Sequence, residues 1–455
     1  MKRNIKLLIL ITGFLVFSMA NGMAQKKISL QEAMHIALEN NPAVKAAKSQ
    51  VDIARAKTMQ AKSTFYPQAS FLSKYFYTNN LPGMYPLAGV SVPVLNNGTP
   101  TGDNIIMHPM APYPNRSRDV MQMNLNIVYP IYAGQKRLNA VKSTEKLKAA
   151  YNRQLQQARE ELKLKVKTAY YNNLFLLDVI NVYNQVLKQL NQHLQLAKAA
   201  YKEGVRSEFD VLNFESKIEE FKHRLVEMEG NKRIAGTALK NLLALPDSSN
   251  VDVEGNLKSY IQTTPVPSIS LSDIQNGNNK VKSLQHMKEA LKEKEKIEAA
   301  GNLPTLFAFG NYHILHGMDF PPFDKTWRNG YALGVGLKIN LFDGNRTKGK
   351  VEEVKATMDK IKNYQKGLNL QLRYLFNKTI EDIQSLKAQQ VASEDHLKVA
   401  EKAYEIAGVA YKNGVLTNIE LNDAQLNMTK AKLSLLNIHK NLLLEYAQLQ
   451  FLSGK

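Results

Sequence analysis

Four short stretches of the chain alternate apolar and polar residues with a period of two, the signature of half-buried β-strands. In the first, Ala69, Phe71, Tyr75 and Tyr77 oppose Gln68, Ser70 and Lys74. In the second, Met121, Met123, Leu125, Ile127 and Tyr129 oppose Gln122, Asn124 and Asn126. The fourth sets Tyr331, Leu333, Val335, Leu337 and Ile339 against Ala332, Gly334, Gly336, Lys338 and Asn340. The third is less regular, because Phe307 and Phe309 fall on the face opposite Leu306, Ala308 and Tyr312. The pattern predicts strands at about 67–77, 119–130, 304–314 and 330–341. Each approaches the ~9–11 residues of a tilted membrane-spanning strand.

Two much longer stretches carry apolar residues every three or four positions. The first runs Leu162, Val166, Ala169, Asn173, Leu176, Ile180, Tyr183, Leu187, Leu190, Leu194, Ala197, Tyr201, with Asn173 the one polar interruption. The second, looser, runs from Leu372 through Ile383, Leu397 and Ala407 to Tyr411. Neither Gly nor Pro interrupts the chain between Gly134 and Gly204, so the spacing predicts a helix of nearly seventy residues, roughly 100 Å long. Gly204 and Gly414 permit turns, and helices of about forty residues return. The hairpins are predicted at about 134–246 and 344–453. Narrow seams on otherwise polar helices suit pairwise, coiled-coil-like packing.

The chain repeats itself. The segment Ala197–Asp210 aligns with Ala407–Glu420 at an offset of 210, and the same offset aligns Ile131–Gly134 with Leu341–Gly344. Upstream the offset is 237, aligning Asn41, Val44, Lys45 and Pro67 with Asn278, Val281, Lys282 and Pro304. The difference places 27 extra residues between the strands of the first half. Several windows agreeing in order indicate a duplicated unit. Each unit reads helix, strand, loop, strand, helical hairpin. Ser29–Glu32 and Ser270–Asp273 both have the form of capping boxes. The first repeat spans 25–246, a Pro-punctuated linker 247–268, and the second repeat 269–455.

Residues 1–24 set the compartment. Lys2, Arg3 and Lys6 precede the apolar run Leu7–Phe17, and small residues follow at Ala20, Gly22 and Ala24. This is the pattern of a cleaved export signal; the competing reading, an uncleaved anchor, requires a longer run. No later stretch has the ~20 apolar residues of a membrane helix, so a membrane location requires β-strands. Alternation alone also fits a soluble antiparallel sheet. The long segment 78–118, set against short junctions to the helices, favours the barrel, whose loops are long on one side. Four strands fall short of the ~8 of the smallest barrels, so several chains must pool them.

Composition removes other chemistry. Cysteine is absent, which excludes disulfides, Cys-ligated metal and a lipidated cysteine. The net charge of +20 is spread along helices without a nucleic-acid motif, so no nucleic acid is expected as partner. Of nine histidines only His313 and His316 stand close together, with no acidic ligand pattern around them. No phosphate loop or nucleophile elbow is present. The expectation is a protein without catalytic residues, cofactor or metal.

The chain resembles the TolC-like outer-membrane efflux proteins. The resemblance is carried by Ile28–Pro42, by the strand-to-helix junctions at Gly134 and Gly344, and by the tips Tyr201-x-x-Gly204 and Tyr411-x-x-Gly414. It implies an α+β membrane protein: a homotrimer whose twelve strands form one barrel in outer-membrane lipid, continued by a twelve-helix periplasmic tunnel. The location would be a Gram-negative outer membrane, with only the barrel as anchor. The implied function is a passive exit duct for an efflux pump or type I secretion system, docked on a periplasmic adaptor (membrane fusion) protein and an inner-membrane pump of RND or ABC type. The alternative is a periplasmic coiled-coil adaptor or scaffold, although an adaptor normally carries one hairpin.

By the same resemblance, Gly204, Val205, Gly414 and Val415 form the adaptor-contact tips; the plain alternative for the glycines is a tight turn. Asp210 and Tyr411 match a polar latch at the tunnel entrance, and Glu420 and Asp423 match an acidic ring. The plain alternative for the acids is a solvated helix face. The family pattern places an arginine where this chain has Leu416, and Arg206 occupies the equivalent position in the first repeat.

Overall fold

The computed structural model describes residues 26–78, 84–86, 89–96, 99–112, 118–249, 251–317 and 327–454. The export signal expected over 1–24 lies outside these residues. The chain divides into two compact units, a strand unit of Arg55–Lys146 with Glu289–Asp359 and a helical unit of the remainder.

The strand unit holds one four-stranded antiparallel sheet. Its strands belong to a set numbered along the chain: β1 (Lys26–Ile28), β2 (Gln68–Thr78), β3 (Met84–Pro86), β4 (Val90–Asn96), β5 (Thr99–Met107), β6 (Met110–Pro112), β7 (Arg118–Tyr132), β8 (Val251–Val253), β9 (Thr305–His316) and β10 (Arg328–Lys338). The sheet order is β10-β9-β7-β2, which leaves β10 and β2 as open edges. Register carries the alternation across all four strands. Phe71, Leu125, Tyr312 and Tyr331 lie in one row, and Ala69, Ile127, Gly310 and Leu333 in the next. This face is apolar over most of its length, with Ser73, Asp119, His316 and Asn329 gathered toward one end, and it is open, with Leu333 78% exposed. A continuous apolar sheet face of this kind requires lipid or a partner to cover it.

The irregular third strand has a physical explanation. Phe307, Phe309 and His313 lie directly opposite Gly336, Gly334 and Gly330 of β10. Each ring lies over its glycine, so that a Cβ added at any of the three would collide with it. The three glycines leave space on the polar face that the rings fill. On the same face Asn311 donates to Asn126, and His313 Nδ1 lies 3.3 Å from Asn311 Oδ1.

The segment between the first two strands is not a plain loop. It contains two small antiparallel pairs, β3 with β6 and β4 with β5. The register of β4–β5 shifts between Pro93 and Leu95, as expected where proline cannot donate to a ladder.

The helices are α1 (Leu30–Asn40), α2 (Pro42–Ser63), α3 (Lys136–Lys202), α4 (Glu208–Leu243), α5 (Leu257–Thr263), α6 (Leu271–Gly277), α7 (Asn279–Ala299), α8 (Arg346–Lys412) and α9 (Asn418–Ser453). None among the described residues is long and apolar enough to cross a membrane. Both strand-to-helix junctions turn on two successive left-handed residues, Gly134–Gln135 (φ 57° and 61°) and Gly344–Asn345 (φ 63° and 66°). The long helices α3 and α8 each have 67 residues, and their return helices α4 and α9 each have 36. Ser29 caps α1 by accepting from Glu32 N, and Ser270 with Asp273 forms a reciprocal capping box on α6.

Packing in the helical unit differs from the pairwise seams expected. One cluster joins Tyr183, Leu190 and Ala197 of α3 to Phe214 and Ile218 of α4, Ala407 and Tyr411 of α8, and Leu421 of α9. The helices of both hairpins therefore share one core. α3 buries a second row beside its heptad seam, including Tyr170, Leu174, Val179 and Val186, because it has neighbours on more than one side.

The stretch 247–268, read from sequence as a linker, contains β8 and α5. β8 pairs in parallel with β1, Ile28 facing Val253. Tyr170, fully buried, ties this corner together. Its hydroxyl lies 2.9 Å from the carbonyl oxygens of both Ile28 and Glu254, and it accepts from Glu254 N at 3.1 Å. Three-residue strands carry too few positions to show a period, which is why the sequence hides them.

Candidate functional site

The two hairpin tips have the same backbone. Gly204 (φ 71°) and Gly414 (φ 79°) end α3 and α8 in the left-handed conformation. Val205 N donates to Ala200 O and Val415 N to Ala410 O, each at 2.9 Å, the long-range bond of a Schellman cap. Glycine is needed here for its φ, and no atom lies within 4 Å of either added Cβ. Val205 and Val415 are then presented to the outside, 72% and 76% exposed.

The return helices open on side-chain caps. Ser207 accepts from Asp210 N, and Thr417 accepts from Glu420 N, both at 3.3 Å. Asp210 and Glu420 are thus the third residues of equivalent helices. Glu420 completes a capping box, its Oε2 accepting from Thr417 N and Oγ1 at 2.8 Å. These bonds, the backbone N–H first, hold its carboxyl below the usual carboxylate range. Asp423 is exposed one turn further along α9.

Side chains break the symmetry of the tips. Tyr201 is 46% exposed, whereas its counterpart Tyr411 is 4% exposed. The Tyr411 ring packs edge-on against Phe214 and His193, with centroids 5.8 and 6.4 Å away. Its hydroxyl has no hydrogen-bond partner among the described residues, so no bond joins it to Asp210. Burial raises the Tyr411 hydroxyl pKa, with Arg206 opposing and Asp210 reinforcing the shift.

Arg206 links the two tips. Its guanidinium lies 4.7 Å from the Tyr411 ring centroid. Its Nη2 donates to Tyr411 O at 3.0 Å and to Leu416 O at 3.3 Å. One cation therefore satisfies a carbonyl from the last turn of α8 and another beyond the turn, where orphan acceptors collect. Leu416, which lacks a charge of its own, packs against the shared core. A groove of about 660 Å³ runs beside this contact, lined by Ala200, Val205, Arg206, Tyr411, Asn413 and Gly414.

Sequence reasoning missed His193 and its neighbours. His193 Nε2 lies 2.9 Å from the Tyr404 hydroxyl, and burial, followed by the charge of Lys412, lowers the imidazole's pKa. Burial pushes Tyr404 up to about 12. The available signal was a histidine adjoining the apolar seam position Leu194. Among the described residues, no three His, Asp or Glu side chains are grouped to hold a metal.

The sequence matches the family described as outer membrane efflux protein over residues 33–245 and 271–455. No curated protein matches it by sequence. Solved structures share its fold. The outer membrane protein VceC of Vibrio cholerae is 17% identical, with TM-score 0.72, 93% of this chain and 96% of that chain covered. The open state of the MtrE outer membrane channel of Neisseria gonorrhoeae is 16% identical, with TM-score 0.75 and coverage of 93% and 88%. The CmeC outer membrane channel of Campylobacter jejuni is 15% identical, with TM-score 0.72 and coverage of 93% and 85%. The fold class is that of the trimeric barrel-and-tunnel channels, which explains why one chain presents four strands with two open edges. A match spanning both repeats, on a sheet with one apolar face and helices in paired hairpins, means that this chain belongs to the outer membrane efflux protein family and is an exit duct of the outer membrane.

Proposed function

We propose that three copies of this chain form a closed-tip duct that opens when a periplasmic adaptor, linked to an inner-membrane pump of RND or ABC type, docks on the hairpin tips. The observation that carries this reading is the pair of equivalent tips. Each ends in an exposed valine beside a left-handed glycine, with an open groove between them. Exposed apolar tips on otherwise polar helices suit a transient protein contact. Transport through the duct is passive, so the energy belongs to the pump.

In this reading Arg206 takes the role of the arginine absent at Leu416. Rather than reaching a neighbouring subunit, it ties the second tip to the first within one chain. Three copies of Asp423 and of Asp210, with the free oxygen of Glu420, ring the entrance with negative charge. The test is site-specific photocrosslinking from positions 205 and 415 in native membranes. The expected result is one dominant periplasmic adduct, with the pump recovered behind it. Adducts confined to other copies of the duct would remove the tips from adaptor docking.

A further inference from the structure

We infer that the segment between β2 and β7 is a β-ribbon standing beyond the outer end of the barrel, and that the three ribbons of a trimer pack their apolar faces on one another there. The inference rests on the trimeric-duct reading and adds to it an interface outside the membrane. The register carries the first part. β2 pairs with β7 from Gln68–Val128 to Thr78–Arg118. The pairs β3–β6 and β4–β5 continue that register, displaced by no more than one residue, through Met84–Pro112 and Val92–Ile105 to Asn96–Thr99. The segment is therefore one long hairpin that outruns the sheet, since β9 ends opposite Met121. Helices α2 and α3 join the other ends of β2 and β7, so the ribbon points away from the periplasm.

Composition and exposure identify what covers it. From Asn79 to Asn115, Asp103 is the only Asp, Glu, Lys or Arg, in a chain where these make up 22% of residues. Opposed residues share a face of a ribbon, and successive residues alternate. Val90, Val92, Ile105 and Met107 thus form one face, and Ser91, Pro93, Asn104 and Ile106 the other. On the first face Val90, Ile105 and Met107 are each more than half exposed in the single chain. Both strands hold prolines, Pro86 and Pro93 on one side and Pro100 and Pro112 on the other, which lack the N–H that strand addition needs. A partner therefore meets the face and not the edge. β2 is an open edge of the sheet, and in the trimer the next chain's β10 fills it, so the ribbon rises at the seam between copies. Twelve strands ~4.8 Å apart and tilted ~40° enclose a barrel of about 12 Å radius. The chain from Thr78 to Asn96 reaches up to about 60 Å at ~3.3 Å per residue, so each ribbon can meet the other two over the barrel axis. An uncharged apolar face repeated around a three-fold axis meets its own copies without repulsion.

The chain has no cysteine, so one introduced thiol is unique. The test places it in the full-length protein in native outer membranes, as Ile105→Cys on the apolar face or Asn104→Cys on the other. With copper phenanthroline as oxidant, Ile105→Cys is expected to give disulfide-linked dimers of this chain, and Asn104→Cys at most about a tenth as much, because a disulfide requires Cα atoms within ~7 Å. Without oxidant, a membrane-impermeant maleimide on intact cells should label Ile105→Cys about tenfold more slowly than Asn104→Cys. Met107→Cys, on the same apolar face, serves where Ile105→Cys fails to assemble. Equal labelling of the two faces, equal linking of the two, or linking of Ile105→Cys to a different protein, in a chain that still forms the trimer, overturns the ribbon contact. Wild type that forms no trimer in the membrane overturns the duct reading on which it rests.

Discussion

Arg206→Ala is the sharpest perturbation of the tip. The substitution removes two hydrogen bonds from a charged donor to carbonyls and one cation–π contact. Charge-assisted bonds contribute ~1.5–3 kcal/mol when well shielded, and a partly exposed cation–π contact ~0.5–1 kcal/mol. Arg206 is only half-buried, and the freed carbonyls of Tyr411 and Leu416 can take water, so the lower end applies. About 2 kcal/mol of tip-to-tip coupling should be lost, which shifts a closed-to-open ratio by roughly thirtyfold. Single-channel recording of the reconstituted trimer reads that ratio directly. Arg206→Lys, which keeps the charge but not the planar stack or forked donors, should fall between. An Arg206→Ala channel with wild-type dwell times, in a trimer as heat-stable as wild type, would refute the assignment of Arg206 as the tie between hairpins.

Three further outcomes follow from the geometry. Tyr170→Phe keeps the ring packing but removes the hydroxyl joining Ile28, Glu254 and Tyr260, and should cost about 1–2 kcal/mol in chemical denaturation; an unchanged midpoint would show that water replaces the hydroxyl without loss. His193 and His439 are buried, and burial lowers both pKa values from 6.5. The unfolded chain therefore binds more protons than the folded one as pH falls below about 6.5, so their contribution is complete above that pH and is lost below it. Melting temperature between pH 7.5 and 5 should fall in wild type and fall less in His193→Gln/His439→Gln, and parallel profiles would exclude both residues. Glu420→Gln with Asp423→Asn should reduce cation preference, read as reversal potential across a salt gradient, and an unchanged potential would remove the pair from the entrance filter.

The architecture was legible in the sequence where a period was long enough to count. Eleven-residue alternation exposed β10, and a heptad seam running through a stretch without Gly or Pro exposed α3. Phe307 and Phe309 read as an irregularity because alternation records only one strand, whereas the glycines that accommodate them belong to the neighbour. The parallel pair β1–β8 was invisible because three residues have no period and its partners are more than two hundred positions apart. At the tips the glycines were legible, since a left-handed residue leaves a mark in the sequence. The tie made by Arg206 was not, because its acceptors are backbone carbonyls, which every residue has.

That last difference bears on how a duplicated chain makes a gated end. The two hairpins agree residue for residue in helix bounds and tip turns, so the backbone alone gives two equal tips. Inequality enters through a few side chains at the offset of 210. Arg206 faces Leu416 in the alignment, exposed Tyr201 faces buried Tyr411, and Phe214, fully buried, faces the smaller Ala424. The return helices diverge accordingly: α9 buries Leu421, Gln425, Met428, Ile438 and Leu442 along its length, whereas α4 buries few residues between its ends. A helix held on several sides cannot move without its neighbours. At its tip α8 is held twice, by the buried Tyr411 ring packed on Phe214 and His193 and by half-buried Arg206 on the carbonyls of Tyr411 and Leu416. On the proposed reading, a partner that competes for Arg206 would weaken only the second hold, and α8 would stay tied to the first hairpin through Tyr411 on Phe214 and His193.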